Sequence, residues 1–184
     1  MKPPIDNEKI QESVSKSKSK GIRNGARKRV REALNAAKNY SLPVKSVLVV
    51  GSQHGYEPEQ YKELGIDVVA VDIVKSFVED TRKLGIECYH SAIEGFKPIK
   101  VDGVHASHVL EHTYDIRKAI SIIQKCARYW CYVCVPIIPE GIKKGKGDLS
   151  VIRNKKKILD LFKPWKGKMI HKTKTTIVIL FIAP

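Results

Sequence analysis

The chain has 184 residues and a mass of 20.7 kDa, the size of one domain with little room for a second. Hydrophobic residues make up 42% of it, enough for one buried core and too many for a wholly disordered chain. Its longest apolar run, residues 177–183, falls far short of the roughly 20 residues that a membrane-spanning helix requires. The opening Met1-Lys2-Pro3-Pro4 turns polar at once, so no signal peptide is expected. Four cysteines do not make a disulfide scaffold, and the expected setting is the reduced cytoplasm.

Charge divides the chain in three. Residues 1–45 hold 12 basic and 4 acidic side chains, residues 46–139 hold 10 and 12, and residues 140–184 hold 12 and 3. A near-neutral middle thus carries two strongly basic ends. The pattern points to a nucleic acid or other polyanion met by the termini, or to a solvated basic surface.

Residues 1–20 read as a flexible basic arm, because Ser13-Val14-Ser15-Lys16-Ser17-Lys18-Ser19-Lys20 has too little apolar surface to offset ordering. Residues 21–184 read as a single domain. Over 22–40, Ala26, Val30, Ala33, Leu34 and Ala37 recur at helical spacing among arginines and lysines, which predicts a basic amphipathic helix stopped by Pro43. The run 45–51 predicts a strand buried on both faces and ended by Gly51. A helix over 57–64 and a strand over 67–72 follow. Then come a helix over 76–84, a short strand over 86–89, a strand over 101–109, a helix over 114–127 and a strand over 129–135. Alternation of strands and helices with short loops argues for a parallel α/β sheet. Beyond Pro136 the sequence predicts a lysine-glycine loop at 141–147, a helix over 151–162, and strands at 168–174 and 176–182. The last two are close enough to form an antiparallel hairpin at the sheet's end.

Open parallel sheets bind ligands outside the carboxyl ends of their strands. Three such ends carry unusual residues here. Gly51-Ser52-Gln53-His54-Gly55 allows a sharp turn and close backbone approach to a ligand. Asp72 ends the next strand, 21 residues after Gly51, where a carboxylate can accept from both hydroxyls of a ribose. Ser107-His108-Val109-Leu110-Glu111-His112 closes the fourth long run.

With these residues in this order, followed by Val133-Cys134-Val135-Pro136, residues 44–137 resemble the class I S-adenosylmethionine-dependent methyltransferases. The segment 102–112, an apolar strand ending in Leu-Glu-His, is the most specific likeness. The resemblance implies a three-layer, Rossmann-like α/β fold with a seven-stranded, mostly parallel sheet. Its antiparallel C-terminal hairpin would fall in 151–183. It implies an enzyme that transfers a methyl group from S-adenosyl-L-methionine to an acceptor that the sequence does not identify; the basic ends would suit an anionic one. The alternative is a catalytically degenerate scaffold that binds nucleic acid. By position, Gly51, Ser52, Gln53 and Gly55 would line the methionine and ribose part of the cofactor, and Asp72 would hold the ribose hydroxyls. Ile73, Ala92 and Ile93 would border the adenine, and Ser107 and His108 would lie beneath the sulfonium. The family's first loop usually has an acid and a middle glycine where this chain has Val49 and Gln53; the Gln53 amide could donate to the cofactor carboxylate instead. His112 and His108 are the candidate general bases, since imidazole titrates near neutral pH.

Bland and rival readings attach to the same residues. Glu111 and His112 could simply cap the following helix, with Thr113 as a second cap. His108-Val109-Leu110-Glu111-His112 also spells His-x-x-Glu-His, a zinc-peptidase signature, but the strand-like run before it opposes the single helical face which that chemistry needs, and no metal is expected. Cys131 and Cys134 have a metal-like spacing, yet an offset of three on a strand puts them on opposite faces, as core residues. A dinucleotide site would use Gly51–Gly55 and Asp72, but it lacks Gly-x-Gly-x-x-Gly.

Overall fold

The computed structural model describes residues 20–138, 149 and 152–184. The expected arm, apart from Lys20, and the lysine-glycine loop at 141–147 lie outside the described residues.

Helix α1 (Lys20–Asn39) buries Ala26, Val30, Ala33 and Ala37, a stripe spaced four, three and four apart. Small residues on that stripe let the helix lie close against the sheet. Its end is closed by backbone bonds from Tyr40 and Leu42 to the Ala37 carbonyl, with Ser41 in the left-handed region at φ 54°. Strand β1 (Ser46–Val50), helix α2 (Tyr56–Glu63), β2 (Asp67–Asp72), α3 (Lys75–Lys83), β3 (Glu87–His90) and β4 (Val101–Ser107) follow. After β4 come α4 (Ile116–Cys126), β5 (Ala127–Pro136), α5 (Lys155–Leu161), β6 (Lys166–Lys172) and β7 (Thr176–Ile182).

The seven strands form one sheet in the order β3-β2-β1-β4-β5-β7-β6. Strands β1 to β5 pair in parallel, whereas β7 runs antiparallel to both β5 and β6. The sheet is therefore the seven-stranded, mostly parallel α/β arrangement with a reversed terminal hairpin. Its order reverses between β1 and β4, which places a crevice at their carboxyl ends.

Both sheet faces are covered, making three layers. Alternate residues of β5 show the division: Cys131, Val133 and Val135 join the core that includes α4 and α5, whereas Trp130, Tyr132 and Cys134 join the one that includes α1, α2 and α3. The two cysteines thus face opposite layers, and both are buried. Trp130 is fully buried and donates to the Pro43 carbonyl at 2.9 Å. Opposite it on β4, only glycine fits at position 103: a Cβ there would lie 2.0 Å from the Trp130 ring.

The expected strand over 101–109 is shorter than the sequence suggests. It stops at Ser107, because His108 turns into the left-handed region at φ 53° and Leu110–His112 form a single 3-10 turn. The expected cap of the next helix also moves. Asp115, not Glu111, His112 or Thr113, caps α4, accepting from the Lys118 N–H at 3.0 Å.

Candidate functional site

A cleft of about 530 Å³ opens at the carboxyl ends of β1, β2 and β4. Of the residues expected there, Gly51, Gln53, Asp72, Ile73, Ala92, Ile93, Ser107, His108 and His112 line it. Two expected liners take other places. Ser52 is fully buried, with its hydroxyl 3.4 Å from Asp72 Oδ2 and accepting from Thr81 Oγ1 at 3.1 Å. Gly55 begins α2 at φ 81° and packs against Thr81 and Leu84, so its missing Cβ serves helix packing.

The floor of the cleft is one hydrogen-bonded unit. Asp72 Oδ2 accepts from the Gln53 N–H at 3.0 Å and Oδ1 from the Val74 N–H at 2.9 Å. The end of β2 thereby holds down the turn that follows β1. Burial pushes the Asp72 carboxyl up, and the Val74, Gln53 and Ser52 bonds act against that push. The turn itself needs Gly51, at φ 77°, where a Cβ would lie 2.2 Å from Val109 Cγ2. Gln53 occupies the left-handed region at φ 47° without closing the cleft, of which it is a wall. Val49, at the position the resembled family gives to an acid, is core.

Several liners were not legible as such in the sequence. Ile22, Gly25 and Arg29 bring α1 over the cleft, and Arg29 is tied there by two bonds to Glu57 Oε1, from Nε at 3.0 Å and Nη2 at 2.5 Å. Val74 and Phe77 give one apolar wall. Glu94 reaches across to accept from the Tyr114 N–H at 2.8 Å. The one available signal was the pairing of a basic helix with an acidic first turn in α2, which includes Glu57.

The residues after β4 close the far side. His108 Nε2 lies 3.4 Å from the Cys134 sulfur, and Nδ1 lies 3.4 Å from Glu111 Oε1. The Cys134 and Glu111 contacts raise the His108 imidazole to about 10, against the effect of burial. Such a group is a cation at neutral pH and a poor proton acceptor. His112 Nε2 lies 4.0 Å from the same Glu111 oxygen. His108 and His112 do not share a helical face, since one precedes the 3-10 turn and the other ends it. Among the described residues no group of three His, Cys, Asp or Glu side chains is arranged to hold a metal.

A turn after β1, a carboxylate ending β2 that fastens it, and a cleft across the sheet's switch point together form the candidate site. Residues 48–130 match the family described as "Methyltransferase domain". Over that stretch the chain is similar to the methyltransferase-domain family. No curated protein is similar enough to the chain to match it. Solved methyltransferases share the fold. Magnesium protoporphyrin IX methyltransferase from Synechocystis, crystallised with bound SAM, is 14% identical with a TM-score of 0.65, the match covering 89% of this chain and 80% of that one. The N-methyltransferase NodS from Bradyrhizobium japonicum, in complex with S-adenosyl-l-homocysteine, is 12% identical with a TM-score of 0.65, over 91% and 90%. A Pyrococcus horikoshii protein reaches a TM-score of 0.70 at 12% identity, over 91% and 93%.

Proposed function

We propose that this methyltransferase domain binds S-adenosyl-L-methionine in the cleft and transfers its methyl group to an acceptor entering beside Glu111 and His112. The observation that carries the reading is Asp72, a buried carboxylate at the end of β2 that fixes the Gly51–Gln53 turn and keeps lone pairs for a ligand. The residues suit such a cofactor. A cavity of about 530 Å³ falls in the range of small-molecule sites, and apolar Ile73, Val74, Phe77 and Ile93 offer a wall for a purine. Ser107, which lines the same space, has a buried hydroxyl with no hydrogen-bond partner among the described residues. Asp72 would hold the ribose, and Gly51, Gln53, Ser107 and His108 would surround the methionine part.

When bound, the cofactor supplies an already activated methyl group, so the chain's own contribution is alignment and exclusion of water. Arg29 and Glu57 hold α1 across one side of the cleft. His108, 3.4 Å from Glu111 Oε1, holds that side chain in place. Calorimetry with S-adenosylhomocysteine should show binding in the micromolar range. Absence of heat at millimolar ligand would overturn the assignment.

A second reading concerns the outer surface. Lys28, Arg31 and Lys38 form an exposed ridge on α1, and Lys168 of β6 lies 5.7 Å from the Tyr40 ring near its end. Together with the basic termini, this ridge suits a nucleic acid. Fluorescence anisotropy with a 20-mer RNA and a 20-mer DNA duplex should show affinity falling at least about tenfold between 50 and 200 mM salt, since counterion release drives such contacts. Undetectable or salt-insensitive binding would dismiss it.

A further inference from the structure

Glu111 differs from every other carboxylate around the cleft. Asp72 is tied to Gln53 and Val74, Glu57 to Arg29, and Glu94 to the backbone ahead of α4. Glu111 is only 3% exposed, and while its Oε1 faces His108 and His112, no donor among the described residues reaches its Oε2. It lines the cleft beside Ser107, whose hydroxyl is likewise without a partner. A buried carboxylate oxygen left unpaired is costly, so a folded chain that keeps one has a donor to receive there.

We propose that Glu111 Oε2 receives an N–H of the methyl acceptor, and that the acceptor is therefore an amine. The proposal rests on the reading of this cleft as the site of methyl transfer. The lining opposes an anionic acceptor: Asp72, Glu94 and Glu111 outnumber the one cation among them, His108, and Arg29 is already matched by Glu57. An amine meets the opposite situation. Its nitrogen lone pair becomes the new bond to the methyl carbon while the pair of the old carbon–sulfur bond stays on sulfur. Positive charge thus passes from sulfur to nitrogen, beside Glu111, which then takes the surplus proton. No further reactant is required. Because that charge grows as the bond forms, Glu111 binds the transition state better than the incoming neutral amine.

Two probes separate this idea from the cofactor assignment: S-adenosylhomocysteine, and sinefungin, which carries an amine at the place of the sulfonium's methyl. Calorimetry on the full chain should find sinefungin bound about tenfold more tightly than S-adenosylhomocysteine, as a charge-assisted hydrogen bond warrants. In Glu111→Gln the ratio should fall to near one while S-adenosylhomocysteine affinity stays within about threefold, a split that a merely structural role would not produce. A preference that survives in Glu111→Gln, as when a buried water pairs Oε2, overturns the proposal. If that variant fails to fold, the wild-type ratio decides alone: near tenfold supports Glu111 as the amine receptor and near one overturns it. Failure of both probes to bind the wild type removes the methyl-transfer reading and this inference with it.

Discussion

Asp72→Ala is expected to weaken S-adenosylhomocysteine binding about a hundredfold and to destabilise the fold by about 2–4 kcal/mol, since two buried backbone N–H groups lose a charged acceptor. Those groups belong to Gln53, in the turn after β1, and to Val74, just beyond the end of β2. Asparagine is no remedy. Each carboxylate oxygen accepts one N–H, so either orientation of the amide sets its NH2 against a donor. Both variants should therefore lose affinity, with alanine leaving a void as well. Isothermal titration with urea unfolding in parallel checks the two effects separately. Binding within threefold of wild type in both variants would show that the end of β2 does not hold the ligand.

The second large effect is an acid one. His105, on β4 two residues before Ser107, is fully buried; its Nδ1 lies 2.9 Å from the Tyr61 hydroxyl and its ring stacks on Tyr132 with centroids 4.7 Å apart. Burial, with the Arg29 charge adding to it, lowers its pKa from 6.5 to about 3. The unfolded chain thus takes up a proton that the folded chain refuses. Stability is intact above about pH 6.5 and falls as pH drops toward 3, by about 1.4 kcal/mol for each unit in that window. Between pH 6.5 and 4.5 the wild type should lose about 2–3 kcal/mol more than His105→Phe, which keeps the ring stack and removes the proton site. Equal acid slopes in urea titrations of the two proteins would refute the assignment.

The sheet was legible because its strands are short β-branched runs separated by turn residues, and each face of β1, β4 and β5 is buried. Asp72 was legible for the same reason: an acid directly follows the apolar run 68–71. Other parts were hidden by tertiary effects. No glycine or proline marks the turn at His108, so the strand there reads as longer than it is. Arg29 reads as one more solvated cation on a basic helix, yet Glu57 draws it across the cleft from a distant stretch of chain. His105 looks like an ordinary strand residue, and only the approach of Tyr61 and Tyr132 reveals a buried imidazole. The resemblance puts Ser52 at the cofactor, but the turn swings its hydroxyl inward to Thr81.

Helix α1, a rod of 20 residues about 30 Å long, lends Ile22, Gly25 and Arg29 to the cleft and carries Lys28, Arg31 and Lys38 on its exposed face. Thermodynamic reciprocity then constrains any pair of ligands that meet it. If occupancy of the cleft seats this rod more firmly, a polyanion gripping the ridge must bind tighter by the same factor that it tightens the cleft's ligand. Measuring either site with the other filled would yield one coupling constant for both.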